Sequence, residues 1–237
     1  MIIGLLVGVT KTAIGGLGLL CAALITQVMP AKESTGVLLI LFLTGDLFAI
    51  RVYKKHAEWN FLRTLIWPVL FGIATGAFYL SYSTDNSLQR TIGFIIVLLV
   101  LLYPVSQFWQ RHNEDINIRF PKTLRVFLGT SAGFMSMVAN SGGTPMSIYL
   151  VLRRNSVLNF LGNSAWFFFI VNIVKLPFTV SLGLLDIHSL HYILPAIPMV
   201  AIGALIGMKI ISRINLQLFQ NITLISAAAV GFKLIFF

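Results

Sequence analysis

Charge is what this sequence has least of. Asp, Glu, Lys and Arg make up 10% of its 237 residues, where a soluble domain carries about 25%. Hydrophobic residues make up 57%, and the mean hydropathy is +0.91. So little polar surface cannot clothe a water-soluble globule, which excludes ordinary soluble enzymes, disordered proteins and nucleic-acid modules. What remains is an integral membrane protein.

Acidic residues are scarcer still, 7 against 17 Lys and Arg, for a net charge of +10. The basic residues stand between apolar runs, as topology signals and contacts to anionic lipid do. Membrane lipid, not nucleic acid, is therefore the expected polyanionic partner. The single cysteine, Cys21, excludes an intrachain disulfide and a cysteine metal cluster. Inside an apolar run it reads as a small buried hydrophobe. His188 and His191 stand at i, i+3 without a third ligand, so no metal site is expected. The one histidine within an apolar stretch, His191, stands at the start of its stretch, and no G-x-S-x-G, H-E-x-x-H or ATP-binding motif occurs. An intramembrane hydrolase built on Ser141 would thus lack its activating base, and no cofactor is expected. Met1 opens directly into apolar sequence without a basic segment, so no removable signal peptide is expected.

What the sequence does have is eight apolar stretches, at 2–29, 34–50, 64–82, 88–109, 124–151, 156–182, 189–208 and 216–237. Most approach the ~20 residues a helix needs to cross ~30 Å of hydrocarbon. The fourth, Leu88 to Trp109, is the cleanest lipid-facing candidate. Trp59 and Trp109 stand beside charged segments, where interfacial tryptophans belong. The one long hydrophilic connection, Gln110 to Lys122, divides the chain into a first repeat (1–110), a cytoplasmic linker (111–123) and a second repeat (124–237).

The halves match in register. Gly8 pairs with Gly133, Gly15-Gly16 with Gly142-Gly143, Gly36 with Gly162, Pro68 with Pro195, and Gly76-Ala77 with Gly203-Ala204. Asp46 falls opposite Asn172. Six matches in nearly constant register indicate a duplicated unit, the plan of many secondary transporters. The first stretch of each half is also unfit for one straight helix. Gly15-Gly16-Leu17-Gly18 and Asn140-Ser141-Gly142-Gly143-Thr144-Pro145 carry residues costing about 1 kcal/mol per glycine and about 3 per proline in a helix. Each is expected to break into half-helices near mid-membrane, where irregular backbone survives only against protein or water.

Charge discriminates between topologies. If each broken stretch is re-entrant, each half has three crossings and the second half is inverted. One face then collects Arg51, Lys54, Lys55, Arg63, Arg111, Arg119, Lys122, Arg125, Arg153, Arg154, Lys209 and Arg213, twelve against Lys32, Arg90 and Lys233. Eight simple crossings give nine against six. The positive-inside rule favours inverted repeats with the twelve-charge face in the cytoplasm. The expected fold class is an all-α polytopic membrane protein: two inverted repeats, each a broken or re-entrant first helix followed by three transmembrane helices.

Three charged residues inside apolar stretches are candidates for a site. Lys11 is about ten residues into the first and five before Gly16. An intramembrane lysine costs roughly 2.5–3.5 kcal/mol and by default marks a site or pathway. Lys175 is its second-half companion, nearer a stretch end, where snorkelling to the interface competes as an explanation. Asp46, the carboxylate, suits either a salt bridge to a buried lysine or proton coupling. Half-helix N-termini offer free N–H groups to an anion, and glycine admits close approach. Thr10, Thr12, Asn140, Ser141 and Thr144 add neutral donors. Small residues for helix packing explain Gly72, Gly76, Gly203 and Gly207 well and NSGGTP poorly.

At GVTKTAIGG (Gly8 to Gly16), GFMSMVANSGGTP (Gly133 to Pro145) and GNSAWFFFIVNIVKLPFTVSLGLLD (Gly162 to Asp186) the chain resembles the sulfite exporter TauE/SafE family of membrane transporters. The resemblance covers nearly the whole chain. It implies carriage of small sulfur oxyanions, sulfite or organosulfonates. Carried over by position, it implies a binding site on Lys11, Gly15, Gly16, Asn140, Gly142, Gly143, Asn172 and Lys175. The first glycine motif departs from the family's usual loop in lacking proline.

The expectation is a secondary transporter of the cytoplasmic (inner) membrane that binds a small anion at mid-membrane. Thr12 and Ser141 join its substrate-binding residues, and Asp46 is the proton-coupling candidate. An anion channel is the alternative, with an intramembrane hydrolase or a cation carrier using Asp46 behind it. Lipid-facing and subunit-facing surfaces share one composition, so a homodimer is compatible with the sequence without being specified by it.

Overall fold

In a computed structural model the described residues fold into helices, with no strand among them. The structure describes residues 1–12, 18–112, 122–153, 156–186, 189–210, 228–229 and 232–236. Gly15, Gly16, Arg154, His188, Arg213, most of the linker and the start of the eighth stretch lie outside them.

The first apolar stretch holds α1 (Ile2–Thr12) and α2 (Gly18–Ile25). Three long helices follow: α3 (Ala31–Tyr53), α4 (Trp59–Tyr82) and α5 (Asp85–His112), with a 3-10 turn at Lys54–His56 between α3 and α4. The second half repeats the order with α6 (Lys122–Ala139), α7 (Gly143–Leu152), α8 (Val157–Ser181) and α9 (Leu190–Ile210). Pro30 ends the connection into α3, and Asp85 Oδ1 accepts from Lys32 N–H in its first turn (2.9 Å). Ser156 caps α8 by accepting from Asn159 N–H (3.2 Å), satisfying one orphan donor of the first turn. Among the described residues, four helices are long and apolar enough to cross a membrane: Ala31–His56, Trp59–Tyr82, Leu158–Ser181 and Leu190–Lys209.

Two glycine-rich contacts carry the architecture. In α1, Gly4 and Gly8 lie against Ala196, Val200 and Ala204 of α9, whose Gly203 in turn abuts the Leu5 backbone. In α6, Gly129 and Gly133 lie against Leu65, Pro68 and Val69 of α4, whose Gly72 abuts Thr130 O. At Gly8, Gly72, Gly133 and Gly203 a β-carbon would collide with facing backbone, so only glycine permits the approach. The first helix of each half thus packs on the second full-length helix of the other, α1 on α9 and α6 on α4. Thr12 seals the first contact, its hydroxyl within 3.0 Å of both Gly8 O and Ala204 O.

The second hairpin can be followed end to end. Gly129 of α6 touches Leu65 and Pro68, and Met137 touches Gly76, so α6 runs alongside α4 in the same direction. After the break, Tyr149 packs against Phe61 with the rings tilted (5.3 Å), and Arg153 lies over the Phe61 ring (4.2 Å) and pairs with Glu58 (3.1 Å). The C-terminal end of α7 is therefore beside the start of α4. Tyr53, at the end of α3, donates to Thr12 O (2.9 Å) at the end of α1.

Apolar side chains divide between inside and outside. Leu65, Ile73, Leu80, Met137 and Leu150 form one core among α4, α6 and α7. Val7, Ile25, Leu38, Leu41 and Val200 form another among α1, α2, α3 and α9. Trp67, Phe71, Phe78 and Tyr82 lie along one exposed face of α4, an apolar stripe that needs lipid as its solvent. Contrary to its purely lipid-facing reading, α5 buries Leu88, Ile92, Ile95 and Ile96 in the first core and exposes Phe94 and Leu101. Its periodic burial belongs to a helix with one packed face.

Candidate functional site

The backbone of α6 ends at a left-handed residue. Asn140 has φ 51°, the one non-glycine residue with positive φ among those described, a conformation that asparagine tolerates better than most. Asn140 N–H still bonds Ser136 O (3.1 Å), while Ser141 N–H reaches Met135 O (3.1 Å) and closes the turn. Then α7 begins at Gly143. Its first helical bond runs from Met146 N–H to Gly142 O (3.4 Å), so the amides of Gly143 and Thr144 precede the ladder and have no intrahelical acceptor. Pro145 costs nothing there, because a first-turn N–H would be unused anyway.

This turn faces a cavity of ≈ 60 Å³ near the middle of the bundle. The starts of both half-helices border it, Gly18 of α2 and Gly143 with Thr144 of α7. They approach each other closely enough that a side chain at Gly18 would touch Asn140 O and the Phe42 ring. Thr10, Lys11, Phe42, Asp46, Ser136, Asn140 and Ser141 continue the wall, and α8 supplies Leu161, Ser164, Ala165, Phe168 and Asn172.

Lys11 and Asp46 form an ion pair, Nζ to Oδ1 2.6 Å, and Asn172 Nδ2 donates to the other carboxylate oxygen over 2.7 Å. Phe42 and Phe168 present their rings to the Lys11 ammonium at 4.6 and 4.8 Å, adding cation–π attraction where water is scarce. Asp46 is 1% exposed and Lys11 12%, so the lysine is the member of the pair that a ligand in the cavity can reach.

Of the residues expected at a site, Lys11, Asp46, Asn140, Ser141, Gly143 and Asn172 meet at this cavity. Gly15 and Gly16 lie outside the described residues. Thr12 turns to α9, and Gly142 packs against Ala132 O and Ser136, leaving both off the cavity wall. Lys175 is fully buried behind the turn, bonded to Ser136 and Asn140. Ser141 donates its hydroxyl to Met135 O (3.3 Å), and no histidine lines the cavity among the described residues.

Phe42, Ser136, Ser164 and Phe168 are wall residues that periodicity does not single out, since α3 and α8 are apolar nearly all round. One signal was available. Phe42 and Phe168 each stand one helical turn before Asp46 and Asn172, at the same separation in sequence.

Across this whole arrangement, the sequence profile described as sulfite exporter TauE/SafE matches residues 1–234. The chain belongs to the sulfite exporter TauE/SafE family. No curated protein and no solved structure matches it significantly. Membership, together with four membrane-capable helices, makes this TauE/SafE protein a multi-pass membrane protein of a transporter family.

Proposed function

We propose that the protein is a secondary carrier that moves small sulfur-containing anions, sulfite or organosulfonates, across the cytoplasmic membrane by alternating access. One observation carries this reading: in a TauE/SafE member, an intramembrane cavity is bordered by a lysine and by the N-terminal end of the half-helix α7, with Gly18 of α2 beside them. Helix N-termini and an ammonium attract an anion together. A cavity of ≈ 60 Å³ has room for on the order of five water-sized positions, enough for a compact oxyanion.

The carrier is built from two inverted repeats, residues 1–110 and 124–237, joined by a cytoplasmic linker, each opening with a re-entrant hairpin. In favour of the second hairpin is the return of α7 to Glu58 and Phe61, at the end of α4 beside which α6 begins. In favour of the repeat are the matched contacts of α1 with α9 and of α6 with α4. The face bearing Arg51, Lys54, Lys55 and Arg153 is cytoplasmic by its charge.

Access is asymmetric. Leu161, Ser164, Ala165 and Phe168 line the cavity along the half of α8 nearer the basic face. Of their register counterparts on α3, Phe42 also lines the cavity, whereas Thr35, Leu38 and Leu39 do not and are buried in packing. This conformation is the inward-facing one, and exchange of the two packings between repeats produces the outward-facing one. Asp46 couples the cycle to protons, since it holds the same Lys11 that an entering anion would use.

Counterflow in proteoliposomes tests the mechanism. A carrier accelerates uptake of labelled sulfite when unlabelled sulfite is loaded inside, with saturable rates. A flux that neither saturates nor responds to the inner pool would mean a channel.

A further inference from the structure

Lys175 does not border the cavity, yet its charge is the most closely held in the bundle. It is fully buried. Its Nζ donates to Ser136 O over 2.5 Å, to Asn140 Oδ1 over 2.7 Å and to Ser136 Oγ over 3.3 Å. Three acceptors around one nitrogen use all three N–H bonds of an ammonium, leaving none for a ligand. Among the described residues the two ion pairs are Lys11–Asp46 and Arg153–Glu58, so no carboxylate partners Lys175.

Both residues that it grips belong to the break between α6 and α7. Ser136 O is the acceptor for Asn140 N–H as well. The Asn140 side chain is fixed at both ends, its Oδ1 by Lys175 and its Nδ2 by donation to Thr35 O of α3 (3.1 Å). Asn140 is also the left-handed residue whose conformation turns the chain into α7. The next residues, Ser141, Gly143 and Thr144, form the cavity wall. In the register that pairs Gly8 with Gly133, the counterpart of Lys11 is Ser136. The second half lacks a lysine on its own hairpin, and Lys175 reaches that position from α8.

We infer that Lys175 is a positioning residue of the anion site: it holds Asn140 in the left-handed turn that aims the first-turn amides of α7 at the cavity, without touching the anion. The inference rests on the anion-carrier reading for its ligand and not for its geometry.

A double-mutant cycle separates positioning from contact. Glycine adopts the left-handed conformation freely, so Asn140→Gly removes the need for the lysine's grip on the side chain. Sulfite binding is measured by calorimetry on the full chain in detergent. Lys175→Met is expected to weaken binding by about tenfold or more in the Asn140 background, the scale of a lost charged hydrogen bond. It is expected to weaken binding by less than about threefold in the Asn140→Gly background, where the coupling is gone. Equal losses in both backgrounds, or none in either, would overturn the inference. Hydrogen exchange without any anion provides a second readout: Lys175→Met should speed exchange at Ser141–Thr144 and leave α4 unchanged. Should Lys175→Met not fold alone, the double variant is expected to fold, and its failure to do so also counts against the positioning role. Absence of sulfite binding by the unmodified protein would remove the carrier reading, while unaltered exchange at the turn would remove the positioning role.

Discussion

Asp46 and Asn172 occupy matching positions in the two halves of the sequence and bond directly to each other, Asn172 Nδ2 donating to Asp46 Oδ2 over 2.7 Å. They meet where α3 and α8 pack against each other. The chemistry there is unequal: one half contributes a carboxylate and the other a neutral amide. Lys11 binds the carboxylate, and the aromatic pair Phe42 and Phe168 encloses the lysine from both halves. The cavity's electrostatics are therefore asymmetric although its framework repeats.

The Lys11–Asp46 pair is buried, so removing one partner strands the other. Asp46→Ala is expected to cost about 3–5 kcal/mol of stability, read as a lower midpoint of thermal unfolding in detergent. Lys11→Met combined with Asp46→Leu should recover most of that loss, because an apolar pair of similar volume carries no stranded charge. A double variant as unstable as Asp46→Ala would mean that the charges do not act as a pair.

Asp46→Asn keeps a polar group beside Asn172 and Lys11 while removing the carboxylate. Under proton coupling at Asp46, sulfite uptake by this variant should no longer respond to an imposed pH gradient, whereas the unmodified protein should. An unchanged response would assign coupling to another group.

Glycine substitutions divide by location. Gly8→Ala and Gly133→Ala drive a methyl group into facing backbone, at Val200 O and Val69 O respectively. Each is expected to destabilise by about 1–3 kcal/mol or more, as overpacking does. Gly183 has φ +66° and nothing nearby for a methyl group to meet. Gly183→Ala should cost only the left-handed penalty of about 1–2 kcal/mol and leave uptake intact. Thermal midpoints and uptake rates measured on the same preparations check both.

The asymmetry of access is open to chemical labelling. In a Cys21→Ala background, Ala165→Cys should react with a membrane-impermeant thiol reagent applied from the cytoplasmic side. Its counterpart Leu39→Cys should not react from either side in this conformation. Equal labelling of the two would contradict an inward-facing cavity.

Much of this arrangement was legible in the residues. Glycine and proline are expensive inside helices, so Asn140 to Pro145 announced the break, and the expense of an intramembrane charge singled out Lys11 and Asp46, which line the cavity. Gly72 and Gly203, read as packing residues, do sit at close helix contacts, but which helices would meet was not legible. Side-chain direction was not legible on α8, which is apolar nearly all round and has no polar face to set its rotation. Lys175 could thus be assigned to the site region but not to the Ser136–Asn140 turn that it grips. Thr12 was likewise misdirected by proximity in sequence, because the α1–α9 contact that takes its hydroxyl is tertiary.

The most direct test of the carrier is sulfite uptake into proteoliposomes, comparing the unmodified protein with Lys11→Met verified as folded. The account predicts saturable uptake by the former and a loss of at least about tenfold in the variant, the effect of removing one charged contact of 1.5–3 kcal/mol. Full uptake by Lys11→Met would contradict a site at Lys11. Absence of uptake of sulfite and of every sulfonate by folded, unmodified protein would contradict the substrate class itself.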